Sequence, residues 1–151
     1  MLLKNALYIT PVVLIIGVGL YWYFKNSTKP IRYFSGNANQ LAKENTYYRN
    51  VLYTTKHSQL TLMAVPIGTD IPKEIHKVDQ IFVIVEGSGK ALVDGSTVDL
   101  APDTVLIVPA RTEHTISNTG NTPLKLYTFY APPQHPAGTI DKTREDESEH
   151  S

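Results

Sequence analysis

Glu74, His76, Gln80 and His114 are the side chains of this sequence best suited to chemistry. A carboxylate oxygen, an amide oxygen and two imidazole nitrogens make a donor set of borderline character, which suits a divalent first-row metal. Three of the four fall within residues 68–80, and the fourth closes the segment 109–114. Glu74, His76 and Gln80 are separated by even spacings, so in one regular strand all three face the same side. His114 opens a later strand and closes the set from a facing sheet. With one anionic ligand the ion keeps a net positive charge and, if octahedral, two open positions, which a catalytic metal requires. Zinc, iron, manganese and nickel all fit these donors. Glu74 has a second reading, as a general base beside a three-ligand metal.

Lys77 and Arg111 flank ligand positions and are candidates for holding a phosphate or carboxylate of a substrate; solvated loop charges are the plainer alternative. Glu113 adjoins His114 and by alternation points the other way. His57, before a strand, and His135, in a proline-rich segment, read as structural or exposed. Tyr53, Tyr127, Phe82 and Phe129 read as core aromatics of strands rather than as a pocket lining.

The elements that must position these residues are strands. Residues 51–54, 59–65, 80–86, 89–93, 97–100, 104–108, 114–118 and 124–130 are short runs rich in β-branched and aromatic residues, separated in several places by glycine-containing turns at 87–89, 94–96 and 119–121. Residues 39–44 read as a short helical turn. Many short strands with no long helical pattern between them predict an all-β sandwich or barrel.

Fourteen basic residues balance fourteen acidic ones, so the chain lacks the concentrated basic surface that nucleic acid demands. It contains no cysteine, which removes disulfides, thiolate metal sites and cysteine nucleophiles. Residues 1–5 form a short flank. Residues 6–24 are uncharged and mostly apolar, about 30 Å as a helix, which predicts a single transmembrane span with tyrosine and tryptophan at its ends. Lys25, Lys29 and Arg32 follow that stretch and place the rest of the chain on the cytoplasmic side by the positive-inside rule. Residues 25–37 read as a juxtamembrane linker, 38–137 as the folded domain, and 138–151, which are charged and polar, as a disordered tail.

The spacing Gly68-x5-Glu74-x-His76-x3-Gln80-x6-Gly87 resembles the first cupin motif, and Asp103-x5-Pro109-x-Arg111-x2-His114-x3-Asn118 resembles the second. Glu74 stands where the first histidine is usual and Gln80 where the glutamate is usual. Asp103 and Arg111 replace two glycines. Over residues 41–147 the chain is similar to small single-domain cupins often called mannose-6-phosphate isomerase-like. The resemblance implies a double-stranded β-helix, the jelly-roll barrel of cupins, carried here behind an N-terminal transmembrane helix. It also implies a divalent metal held by Glu74, His76, Gln80 and His114, and a homodimer paired through edge strands.

Three functions compete. A metal-dependent isomerase acting on a sugar or sugar phosphate would use the metal to polarise a carbonyl or hydroxyl. An iron-dependent dioxygenase would use two histidines and a carboxylate around ferrous iron. A non-catalytic module tethered to a membrane would bind a small ligand or carbohydrate. Fold alone does not choose among them, because function resides in the site.

Overall fold

In a computed structural model of the chain, residues 33–149 are described. They begin with one α-helix, α1 (Ala38–Glu44), whose N-cap Asn37 accepts a hydrogen bond from the Gln40 amide at 3.1 Å. Ten strands follow: β1 (Arg49–Thr54), β2 (Gln59–Val65), β3 (Asp70–Ile75), β4 (Asp79–Glu86), β5 (Gly89–Val93), β6 (Ser96–Leu100), β7 (Val105–Val108), β8 (Glu113–Asn118), β9 (Leu124–Ala131) and β10 (Ile140–Asp141). A 3-10 turn over Glu145–Glu149 ends the described chain.

The strands form two antiparallel sheets, one in the order β10-β1-β2-β9-β4-β7 and the other β3-β8-β5-β6. A single apolar cluster joins them. Met63, Val65, Phe82, Ile84, Leu124 and Leu126 come from the larger sheet, and Ile71, Ala91, Leu100 and Ile116 from the smaller. This is the all-β arrangement expected of the strand runs, in the jelly-roll form that the cupin resemblance implies. Strand β2 is buried along its whole length because α1 covers its outer face: Ala42 and Leu41 pack there with Leu52, Leu62, Val85 and Tyr127. Gly87 closes the β4–β5 turn at φ 86°, where a Cβ would meet the Pro123 carbonyl oxygen at 2.7 Å.

Strand β3 departs from the sequence expectation. Pro72, Lys73 and Glu74 give it a poor strand composition. It nevertheless pairs with β8 as an edge strand, with a register shift between Ile71 and Glu74, and Pro72 falls within that irregularity, where a missing N–H disturbs the pairing least. A second departure follows from it. His76–Val78 leave the sheet, and β4 enters the other one, so Glu74, His76 and Gln80 do not share a strand.

Residues 138–149 also differ from the disordered tail expected over 138–151, of which 150–151 lie outside the described residues. Ile140–Asp141 pair with β1 as β10, and Glu147 is buried. The physical reason is Arg49 on β1. Its guanidinium is buried and donates to Asp141 at 2.8 Å and to Glu147, so the charged segment folds back to neutralise a cation that has no access to water.

The membrane-anchored architecture is corrected. No helix among the described residues is long and apolar enough to cross a membrane. Helix α1, at seven residues, extends about 10 Å against a bilayer core of about 30 Å. The flank at 1–5, the span at 6–24 and most of the linker at 25–37 lie outside the described residues, and with them the single-pass, cytoplasmic-side placement loses its footing.

Candidate metal centre

The β3–β8 pairing sets Glu74 directly opposite His114, which brings their side chains together on one face of the smaller sheet. His76 lies one residue beyond β3, and the Arg111 amide holds its carbonyl at 2.6 Å. Gln80 comes from the larger sheet, opposite Tyr130 of β9. The amide of Gln80 donates to the Tyr130 hydroxyl at 2.9 Å and presents its oxygen to His114 Nε2, also at 2.9 Å. Glu74 Oε2 lies 2.9 Å from His76 Nε2 and 3.8 Å from His114 Nε2. The donor atoms of Glu74, His76 and His114 all fall within 4.8 Å of one another. Neighbouring donors on a first-row ion with bonds of about 2.1 Å sit about 3 Å apart, so both 2.9 Å contacts match the spacing of adjacent ligands.

The protonation pattern of His114 also fits an ion. Its Nδ1 faces the Thr112 carbonyl oxygen at 3.0 Å, and a carbonyl only accepts, so Nδ1 carries the proton in the neutral ring. The Nε2 lone pair then faces the Gln80 oxygen, a second acceptor. A cation between them turns that opposition into ligation. Phe82 packs edge-on against the His114 ring at 5.8 Å and fixes its orientation.

Charge is concentrated around the site. Arg49, with a side chain 3% exposed, faces three carboxylates: Asp141, Glu147 and, at 3.8 Å, Glu74. Burial pushes the Glu74 carboxyl upward, but the His76 hydrogen bond and the neighbouring charges of His76, Arg49 and His114 outweigh it and hold the group below the usual glutamate value. Burial drives the Tyr130 hydroxyl well above its ordinary range, so it serves Gln80 as a neutral hydroxyl.

The site opens into a cavity of about 980 Å³ whose walls include Arg49, Lys73, Glu74, His76, His135 and Glu147. His135, which the sequence reads as structural or exposed, is half-buried, and its Nε2 is buried with no hydrogen-bond partner among the described residues. Gln59 clamps the backbone of this residue, accepting from its N–H at 3.0 Å and donating to its carbonyl at 2.8 Å. Tyr130 packs edge-on against the ring at 4.9 Å. Burial, assisted by the charge of Arg49, lowers the His135 imidazole to about 4, so it is neutral at pH 7. Lys77 and Arg111 are exposed and are not among the cavity walls. Glu113 points outward as alternation requires, pairing with Lys73 at 2.8 Å.

Arg49, Glu147 and Tyr130 adjoin the candidate site without being singled out by the sequence, and His135 is weighed there only as structural or exposed. The available signals were an arginine opening an apolar strand and a histidine in a segment carrying three prolines.

Residues 61–130 match the family model described as a cupin domain. YrkC of Bacillus subtilis is 46% identical over 75% of this chain, and the match spans 64% of YrkC. A protein of Acanthamoeba polyphaga mimivirus is 37% identical over 72% of this chain and 71% of its own length. The crystal structure of BH2720 from Bacillus halodurans superposes with a TM-score of 0.76 at 37% identity, covering 82% of this chain and 97% of that one. Motif spacing, the two-sheet barrel, the domain match and these relatives agree: the chain belongs to the cupin superfamily.

Proposed function

We propose that this cupin holds one divalent metal ion through Glu74, His76, Gln80 and His114 and binds a small polar molecule in the adjoining cavity. The convergence of four donor atoms from two sheets, with adjacent pairs 2.9 Å apart, is the observation that carries the reading. Charge supports it: the Glu74 carboxyl is held below the usual glutamate value beside His76 and the buried guanidinium of Arg49, and such an anionic donor favours a divalent cation. The ion, when bound, supplies Lewis acidity to a carbonyl or hydroxyl oxygen.

The protein's own residues do the rest. Arg49 steadies Glu74 from behind, Tyr130 orients the Gln80 amide, and the Thr112 carbonyl sets the His114 tautomer. An isomerase-type activity on a hydroxy-carbonyl compound is the enzymatic form of this reading. It needs a group that moves a proton beside the substrate, and the neutral His135 on the cavity wall fits that role better than a metal-bound Glu74. The charged walls of the cavity argue against oxygenase chemistry on an apolar substrate.

Calorimetric titration of chelator-treated full-length protein with manganese, cobalt, nickel and zinc tests the metal centre. One site per chain is expected, lost in His114→Ala and weakened in Gln80→Leu. Binding indifferent to His114→Ala, or no binding of any of the four ions, contradicts the proposal.

A further inference from the structure

The two C-terminal carboxylates on Arg49 are anchored differently. Asp141 belongs to β10, which pairs with β1, and it has no exposed surface. It takes Nη1 at 2.8 Å and is a fixed part of the barrel. Glu147 comes from the 3-10 turn beyond, and its carboxylate spreads over two donors. Its Oε1 receives Arg49 Nη2, and its Oε2 lies 3.2 Å from the Tyr48 hydroxyl. Arg49 and Glu147 both line the cavity, and Nη2 also faces the candidate donor Glu74 at 3.8 Å. Glu147 therefore fills, from within the chain, a place on the cavity wall that fits a carboxylate.

The segment that carries Glu147 is held by polar contacts. Residues 142–149 contain no apolar side chain, so their docking gains little from hydrophobic burial. At the base of the segment the Tyr48 amide reaches the Lys142 carbonyl at 3.3 Å. Arg144 pairs with Asp70 at 2.7 Å, with side chains 39% and 42% exposed, and water-exposed pairs of this kind add little stability. Asp146 receives the amides of Lys142 and Thr143, both at 2.9 Å, within the segment itself. The Tyr48 hydroxyl has a second acceptor, the Asp70 carbonyl oxygen, also at 3.2 Å, so departure of Glu147 does not strand its proton. Segments with few apolar contacts are the ones that open locally while the barrel stays folded.

We propose that residues 142–149 form a displaceable strap, and that a small carboxylate-bearing ligand entering the cavity takes the place of Glu147 on Arg49 Nη2 and Tyr48 Oη. The exchange is like for like. Nη2 keeps a charge-assisted hydrogen bond to a carboxylate, and Asp141 stays on Nη1 throughout. A ligand seated there stands beside Glu74, because the same guanidinium nitrogen faces both carboxylates. This deepens the reading of the cavity as a ligand site, on which it rests, and needs no metal ion in the donor cluster.

Hydrogen–deuterium exchange of the full, chelator-treated chain tests it, with sodium acetate as the probe and sodium chloride at the same ionic strength as the control. Acetate is expected to speed exchange of the amides of 142–149 while β1 and β2 keep their protection. A docked strap lowers the apparent affinity for acetate by the fraction of time it is open, so Glu147→Ala is expected to bind acetate about tenfold more tightly than wild type in ligand-observed NMR titrations. Adding Tyr48→Phe to Glu147→Ala removes one of the two donors and weakens acetate binding again. Strap exchange indifferent to acetate, equal affinities of wild type and Glu147→Ala, or no acetate binding to Glu147→Ala overturns the proposal. The exchange comparison on the native chain decides the matter where a variant folds poorly. Metal titration of the same samples keeps the two ideas apart: a chain whose strap yields to acetate but which takes up no ion counts against the metal centre alone.

Discussion

Replacing Arg49 by methionine isolates the charge that ties the C-terminal segment to the site. The guanidinium is 3% exposed and serves Asp141, whose side chain is fully buried, together with Glu147 and Glu74, which are 10% and 13% exposed. Methionine fills much of the volume, so packing loss is small and the electrostatic loss dominates. Removing one partner from a buried ion pair costs about 3–5 kcal/mol, because the remaining charge stays out of water. Here three carboxylates lose the same cation, and the upper half of that range is expected. Against a total stability of about 5–15 kcal/mol, the melting temperature falls by on the order of 10–20 °C. Urea unfolding of wild type, Arg49→Met, Asp141→Asn and the double variant measures it. The double variant recovers at least half of the loss, since the most deeply buried carboxylate is then neutral. A loss below about 1 kcal/mol, or strict additivity of the two substitutions, would show that Arg49 does not organise this cluster.

Two further predictions rest on single residues. Burial holds His135 near 4 in the folded state against an ordinary value of 6.5, so below pH 6.5 the unfolded chain binds a proton that the folded chain refuses. Stability therefore falls between pH 6.5 and 4 by up to about 3 kcal/mol from this group, less where water reaches the ring, and His135→Leu removes that part of the slope in urea melts; identical slopes contradict the burial argument. Arg111 adopts φ 68°, so Arg111→Gly exchanges backbone strain for chain entropy and leaves stability within about 1 kcal/mol of wild type, whereas the β-branched Arg111→Val loses more than about 1 kcal/mol. Equal effects of the two substitutions in thermal melts refute a backbone role.

Eight strands were legible because β-branched and aromatic runs broken by glycine turns leave few alternatives. Strand β3 was not, since Pro72, Lys73 and Glu74 argue locally against a strand, and its pairing with β8 decides otherwise. The donor residues were legible by type and spacing, but even spacing misled about geometry: the chain leaves one sheet at His76 and enters the other at Asp79, so the site is assembled across the barrel. Asp103 and Arg111, which stand where the motif has glycines, adopt φ 68°. The motif's glycines thus reflect a left-handed backbone that this chain tolerates with other residues. The Arg49 cluster was invisible because Glu147 lies 98 residues away in sequence, and a charged C-terminal stretch reads as solvated unless its buried partner is known. Nothing local announces the Gln59 clamp on His135 either, since Gln59 lies 76 residues upstream.

The most direct measurement is metal content by inductively coupled plasma mass spectrometry on purified full-length protein beside the His76→Ala/His114→Ala variant, with circular dichroism to verify that both are folded. Close to one divalent first-row ion per wild-type chain, absent from the variant, is the result this account predicts. A wild-type chain that takes up no metal even after reconstitution, or a folded variant that retains it in full, contradicts the metal centre.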